Sequence, residues 1–432
     1  MRRPVVIALL IVALLLVGAG ITTVIFFGVG GGFDRFSFDA YSVSATADES
    51  KNYSSEGVTR LEVQSDGGNV SVTGGDVSQV TVEASKTAWG ANGADANAAL
   101  AQLKYTVKKD GDALVVTYEQ NARQVAKNKL DMIDFIITVP SEMNVKVGVQ
   151  FGEIELNDVE GDATLDSAFG DITIGNMKGA LKVTTQSGNV TATSINAGRK
   201  EISLQSGFGK VTLDKISAGD LKIESESGAF ELTDVRASGV MELSTKFGDV
   251  AFEKGSADEL TVNTDSGQVV LKSIKVTSAV NVVDNFGNIT LEQVSAKSYD
   301  LDTESGVIEV DGASGSVKAH SGFGSIVIKN GDNATLDLDT QSGTVSYEGT
   351  LGEGPHKLNS DFGEIRIVLP ADIALNVDLK TEFGKITSAL PITLTVSGNL
   401  ENNHFVGTIN SGGSEFTATT QSGNISLEIL SK

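Results

Sequence analysis

Acidic side chains recur in pairs two residues apart: Glu153 and Glu155, Asp300 and Asp302, Glu309 and Asp311, Asp337 and Asp339, with Glu231 in the same kind of position. On an extended strand, residues i and i+2 share a face. Each pair would therefore hold two carboxylates roughly 6–7 Å apart, a separation that suits glycoside hydrolysis. That chemistry also needs a groove and aromatic platforms. Trp89 is the only tryptophan, and no long loop interrupts the later chain. The pairs read as a solvated strand face, and no residue is assigned a catalytic role. His320, His356 and His404 are isolated, and there is no cysteine. Disulfides, thiol catalysis and cysteine-type zinc sites are thereby excluded. No calcium-binding nonapeptide repeat is present. A weak calcium site between stacked acidic turns is the one metal option left, and no residue is named as a metal ligand. The glycine-rich stretch at 28–33 lacks the lysine of a phosphate-binding loop. No cofactor is expected.

The elements that carry these side chains follow from a repeat. Glycine recurs about every 20 residues at Gly152, Gly170, Gly188, Gly209, Gly228, Gly248, Gly267, Gly287, Gly306, Gly324, Gly343, Gly363, Gly384 and Gly423. Numbered from each glycine, apolar residues fall at −7, −5, +2, +4 and often +7; around Gly188 these are Leu181, Val183, Val190, Ala192 and Ile195. Period-2 alternation on both sides reads as two short strands with one buried face. The parity changes across the glycine, as at a tight corner where glycine supplies backbone freedom. Strands this short need neighbours above and below. The fold expected is all-β, a parallel β-solenoid (β-helix) of about 15 coils, roughly 70 Å long.

Two further columns flank the glycine. Offset −3 is Ser or Thr in twelve of the fourteen repeats, among them Thr185, Ser206, Thr264, Thr340 and Thr420. By parity it points inward, where a hydroxyl can satisfy turn backbone groups. Offset −1 largely alternates Phe and Ser: Ser187, Phe208, Ser227, Phe247, Ser266, Phe286, Ser305, Phe323, Ser342, Phe362. The same parity places the Phe column in the core, each ring beside a small residue of the next coil. Offsets +1 and +3 are polar and face out.

The chain begins Met1-Arg2-Arg3-Pro4, followed by an uncharged and mostly apolar run, Val5 to Phe27. Twenty-three residues suffice to cross a bilayer, and the arginines favour a cytoplasmic N-terminus. A single transmembrane signal-anchor helix is expected over 1–28, in preference to a signal peptide cleaved near Val17-Gly18-Ala19. Residues 29–57 read as a flexible extracytoplasmic linker. Residues 58–144 hold a first coil (Leu61, Val63, Gly68, Val70, Val72) and a cap with a short helix at 94–104 and strands at Ala113–Tyr118 and Phe135–Val139. Regular coils fill 145–432. The net charge of −23 argues against nucleic acid and against lying flat on an anionic membrane.

The arrangement resembles the bacterial "putative adhesin" family of membrane-anchored β-solenoid domains of unknown function. The resemblance rests on LEVQSDGGNVSV, on FIITVPSEMNVKVGVQFGEIEL at 135–156, on the repeated T-x-S-G-x-[IV] coils, and on IRIVLPADIALNVDLKTEFGKI near the end. It implies a solenoid behind an N-terminal anchor and brings no catalytic residues. The expectation is a single-pass cell-membrane protein with its body outside the cytoplasm. It would bind or scaffold without catalysis, its partners being the membrane through the N-terminal helix and a cell-wall glycan or another envelope protein. The alternatives are a sensory partner in an envelope-stress response and a polysaccharide-active enzyme.

Overall fold

A computed structural model describes residues 41–120, 130–395 and 402–431. The expected anchor, Val5–Phe27, lies outside the described residues. Among the described residues no helix is long and apolar enough to cross a membrane. The chain folds as an all-β parallel β-solenoid. Each coil contributes two strands that pair in parallel with their equivalents one repeat away. Leu181–Ser187 runs beside Ala163–Phe169 and Ile202–Phe208, and Val190–Asn196 runs beside Ile172–Gly175 and Val211–Ala218. Residues at −7, −5, +2 and +4 line a continuous core; Leu221, Ile223, Phe230 and Leu232 are all buried.

Glycine holds the first corner for a reason different from the expected one. In the early coils its φ is left-handed, 146° at Gly170 and 150° at Gly188. From Gly228 onward the column glycines leave that region, yet glycine persists. The cause is close approach. A Cβ on Gly248 would lie 2.2 Å from the Gly228 carbonyl oxygen, and one on Gly287 would lie 1.7 Å from that of Gly267. The second corner does use left-handed backbone, and there the residues are ordinary ones: Asp158, Asn176, Ser194, Lys215, Asp234, Lys254, Ser273 and Gln293, with φ between 50° and 60°.

Both ends are closed by antiparallel strands. At the N-terminal end, Ala113–Tyr118 and Met132–Pro140 pair with Arg60–Ser65 and Val70–Gly75 as one further coil. Gln79–Gly90 then pairs antiparallel with Met132–Pro140, and Val43–Ser54 pairs antiparallel with Gln79–Gly90. The helix Gly93–Leu100, capped by the Asn92 side chain, packs on this layer. The flexible linker expected over 29–57 is thus corrected for its second half. Ala45, Ala47, Glu49 and Tyr53 alternate as the sheltered face of a strand whose Ser- and Asp-rich composition reads as a spacer. Its charged residues also suit an exposed sheet edge.

The C-terminal end is re-ordered. Leu375–Thr381 does not stack on the preceding coil. The last coil, Ser414–Thr420 with Ile425–Ile429, is inserted between them: it pairs with His356–Ser360 and Ile365–Leu369 on one side and with Leu375–Thr381 and Ile386–Ser388 on the other. The strand His404–Ile409 closes the stack antiparallel to Leu375–Thr381, and Ile392–Leu394 pairs antiparallel with His404–Ile409.

Candidate functional site

The Phe column is on the outside. Phe151, Phe169, Phe208, Phe247, Phe286, Phe323, Phe362 and Phe383 are between 44% and 78% exposed. The expectation of a buried column is overturned, and the reason is local. The last inward residue before the corner is at −3 and the first after it is at +2. The four residues between them form the bend, so −1 sits at its tip and not on the inner face. The inward reading of −3 is correct: Ser167, Thr185, Ser206, Thr245, Thr264, Thr303, Ser321, Thr340 and Thr420 are buried. Several donate to a glycine carbonyl of the adjacent coil, Thr340 to Gly324 at 2.8 Å and Ser360 to Gly343 at 2.9 Å. Asp284 takes this position in one coil. Burial pushes its carboxyl up to about 6; its Oδ1 accepts from the Phe286 N–H at 3.2 Å.

The rings form a ladder along one edge of the solenoid. Strand pairing sets the rungs from Phe151 through Phe169, Ser187, Phe208, Ser227 and Phe247 to Ser266. Backbone hydrogen bonds extend them through Phe286, Ser305, Phe323, Ser342, Phe362, Ser422 and Phe383. In sequence, Phe362 and Phe383 belong to successive repeats. The inserted last coil places Ser422 between them, so Phe and Ser alternate in space to the end. With coils about 4.8 Å apart, successive rings stand about 9.6 Å apart over a serine floor. Only Phe151 and Phe169 occupy neighbouring rungs, and their rings stack with centroids 5.4 Å apart and planes 7° apart. Side chains at +1 pin the rim: Asp171 accepts from the Asn189 N–H at 2.7 Å, Asn189 from Lys210 at 3.0 Å, and Asp249 from Gln268 at 2.7 Å.

Beside the first rungs lies a polar cleft of about 510 Å3, lined in part by Gln64, Thr117, Glu119, Gln150, Asp166 and Gln186. It offers amides and carboxylates for hydrogen bonding and was not foreseen from the sequence.

The paired carboxylates do not converge. Glu231 pairs with Lys210 at 2.5 Å, Asp300 with Lys318 at 3.2 Å, Glu309 with Lys329 at 2.7 Å, and Asp339 with His320 at 3.0 Å. Glu155 accepts from the Ser71 hydroxyl at 3.2 Å and Asp311 from Asn330 at 2.7 Å. These are exposed pairs, each worth little to stability. His404 pairs with Asp378 at 2.8 Å. His356 is buried against Phe416, as its inward register requires, and burial lowers its pKa. Among the described residues no three of His, Cys, Asp and Glu are grouped to hold a metal ion.

The Toastrack DUF4097 family matches residues 58–254 and again 252–428, and the chain belongs to that family. The two matches meet inside the strand Val250–Ala257, which pairs on both sides, so they divide one continuous solenoid. No curated protein matches the chain. Three solved structures are similar in parts. A "putative cell adhesion protein" from Clostridium sporogenes is 7% identical, covering 89% of this chain and 100% of its own, with a TM-score of 0.20. A "putative adhesin" from Bacteroides fragilis is 14% identical, covering 63% and 97%, at 0.31. Another from Parabacteroides distasonis is 16% identical, covering 70% and 97%, at 0.28. Likeness at this level carries no argument about what this chain binds.

Proposed function

We propose that this member of the family is a non-catalytic binding and scaffolding protein of the cell envelope, held in the membrane by Val5–Phe27 with its solenoid outside the cytoplasm. The observation that carries the reading is the column of exposed rings. Single exposed apolar residues are ordinary, but eight exposed phenylalanines aligned along one edge are not, and such an apolar line is of the kind that marks an interaction surface. The glycine column and the +1 side chains hold the rungs at fixed spacing. Repeated weak contacts along such an edge add as avidity.

The test uses the full chain, extracted in detergent, and isolated envelope material. Replacing Phe208, Phe247, Phe286 and Phe323 together by Ser should abolish retention while leaving the circular dichroism and melting unchanged. Equal retention of the variant and the parent would remove the edge from the account. External protease on intact cells checks the topology: the body should be shaved and a short membrane stub left. A mature chain beginning near Gly20 would refute the anchor.

A further inference from the structure

We infer that the aromatic edge pairs with the same edge of a second copy, the two rods lying antiparallel with their rings interleaved. The inference rests on the edge being a binding surface and names what covers it.

The first argument is shape. Large and small residues alternate rung by rung, so the ladder is a row of knobs and slots. A ring entering a slot would lie about 4.8 Å from a ring on either side, within the 4.5–7 Å at which aromatic pairs attract. The structure already contains one such filled slot, the Phe151–Phe169 stack at 5.4 Å. Slots of this width in an apolar row are a surface complementary to itself.

The second argument is register. A two-fold axis crossing the edge between the Ser266 and Phe286 rungs gives the greatest overlap of two ladders, and it makes a closed, isologous pair. It sets Phe286 opposite Ser266 of the second copy, Phe247 opposite Ser305, Phe208 opposite Ser342 and Phe169 opposite Ser422. Only the end rungs, Phe151 and Phe383, meet ring to ring.

The third argument is charge. The chain carries −23, so a random side-by-side contact would be repulsive. This axis opposes each flanking column to itself in reverse order. At −2 it places Lys246 opposite Glu304, Asp265 opposite Asn285, Glu226 opposite Gly322 and Asp361 opposite Gln186. At +1 it places Glu153 opposite Lys385, Asp249 opposite Val307 and Asp171 opposite Asn424. No two like charges face each other in either column.

The fourth argument is area. Eight rings exposed to this extent present roughly 900 Å2 per copy, against about 800 Å2 per partner in a standard stable interface. The N-terminal caps of the two solenoids in such a pair lie at opposite ends. With the anchor proposed above, it would join two facing surfaces.

The experiment exploits the absence of cysteine. In the full chain, Ser187→Cys with Phe362→Cys puts the two thiols nine rungs apart within one copy, about 43 Å, but opposite each other across the two-fold. Mild oxidation of the detergent-solubilised protein should give a covalent dimer from the double variant and none from either single variant. A parallel pair in register would set each new thiol opposite its own copy and cross-link either single variant; that result, or failure of the double variant, overturns the register. Filling the slots with Ser266→Phe and Ser305→Phe adds apolar surface but leaves no room for a partner's rings. Sedimentation should show at least tenfold weaker dimerisation for this variant. Equal or stronger association would mean unspecific stickiness and overturn the interleaved pair. If the parent chain stays monomeric while the Phe-to-Ser variant still loses retention on envelope material, the edge binds something else: pairing falls and the proposed function stands. If neither pairing nor retention depends on the rings, both fall.

Discussion

Asp284 and Phe286 are two residues apart, as are Thr340 and Ser342, and in an unbroken strand each pair would share a face. Here the first of each pair is buried and the second stands at the outer edge. The inner column is buried and, in several coils, held by hydroxyls on glycine carbonyls, beside glycines with no room for a Cβ. The outer column is held only by the backbone beneath it, and its side chains are free to serve a partner. The pleat therefore does not survive the corner, and the same coil sets a structural column and a binding column side by side.

The sharpest way to break this comparison is Gly248→Val. Its side chain would meet the Gly228 carbonyl at a distance real Cβ atoms do not tolerate, and a loss of about 3 kcal/mol or more is expected. Melting measures it, and hydrogen exchange should localise the damage to the coils on either side. An unchanged melting temperature would mean that coil spacing does not demand glycine.

Asp284→Thr comes next, the substitution its column neighbours Thr264 and Thr303 suggest. Burial raises the folded pKa to about 6, above the ordinary carboxyl value. The folded state thus holds the proton more tightly. Its stability contribution is full below about pH 4, declines as pH rises toward about 6, and is lost above that. The variant should gain on the order of 2–3 kcal/mol at pH 7.5 and little at pH 4. Melts at the two pH values decide; an equal gain at both would implicate packing and not ionisation.

A smaller effect separates hydroxyls within the inner column. Thr340→Val leaves the Gly324 carbonyl without its donor and should cost about 1–2 kcal/mol. The Thr185 hydroxyl has no partner among the described residues, so Thr185→Val should be neutral or slightly stabilising. Denaturant midpoints of the two variants should move apart. The smallest effect belongs to the outer column. Phe286→Ala should change stability by within about 0.5 kcal/mol, because its ring is 65% exposed. A loss of several kcal/mol would return the ring to the core and dissolve the comparison.

The solenoid was legible in the sequence because its columns are chemically pure. Positions −7, −5, +2 and +4 stay apolar where they are buried, His356 excepted, and −3 is Ser or Thr in all coils but those of Val149 and Asp284. The ring column carried an equally clear signal, the alternation of Phe and Ser, but parity extended through a bend assigned it to the wrong side. The second corner had no legible signal. Its left-handed residues include Asp, Asn, Ser, Lys and Gln, set by the turn and not by propensity. The order of the last coils was hidden for another reason: Gly363, Gly384 and Gly423 fit the frame equally well, and a frame gives membership of a rung but not its neighbours. The clue was two successive Phe residues, Phe362 and Phe383, where the alternation called for a Ser between them.

That exchange of the final coils governs how the molecule is made. Every earlier coil can settle on one already made as it leaves the ribosome, Asn144–Asn157 on the coil at Arg60–Gly75 and the later coils each on its predecessor. The coil beginning at Leu375 emerges without its seat, because the surface it rests on is encoded downstream, at Ser414–Ile429. The coil at Leu375 is therefore seated only after Ser414–Ile429 has been made. Without Ser414–Ile429, both the coil His356–Leu369 and the coil Leu375–Ser388 would be left with unmatched strand edges in place of a shorter rod.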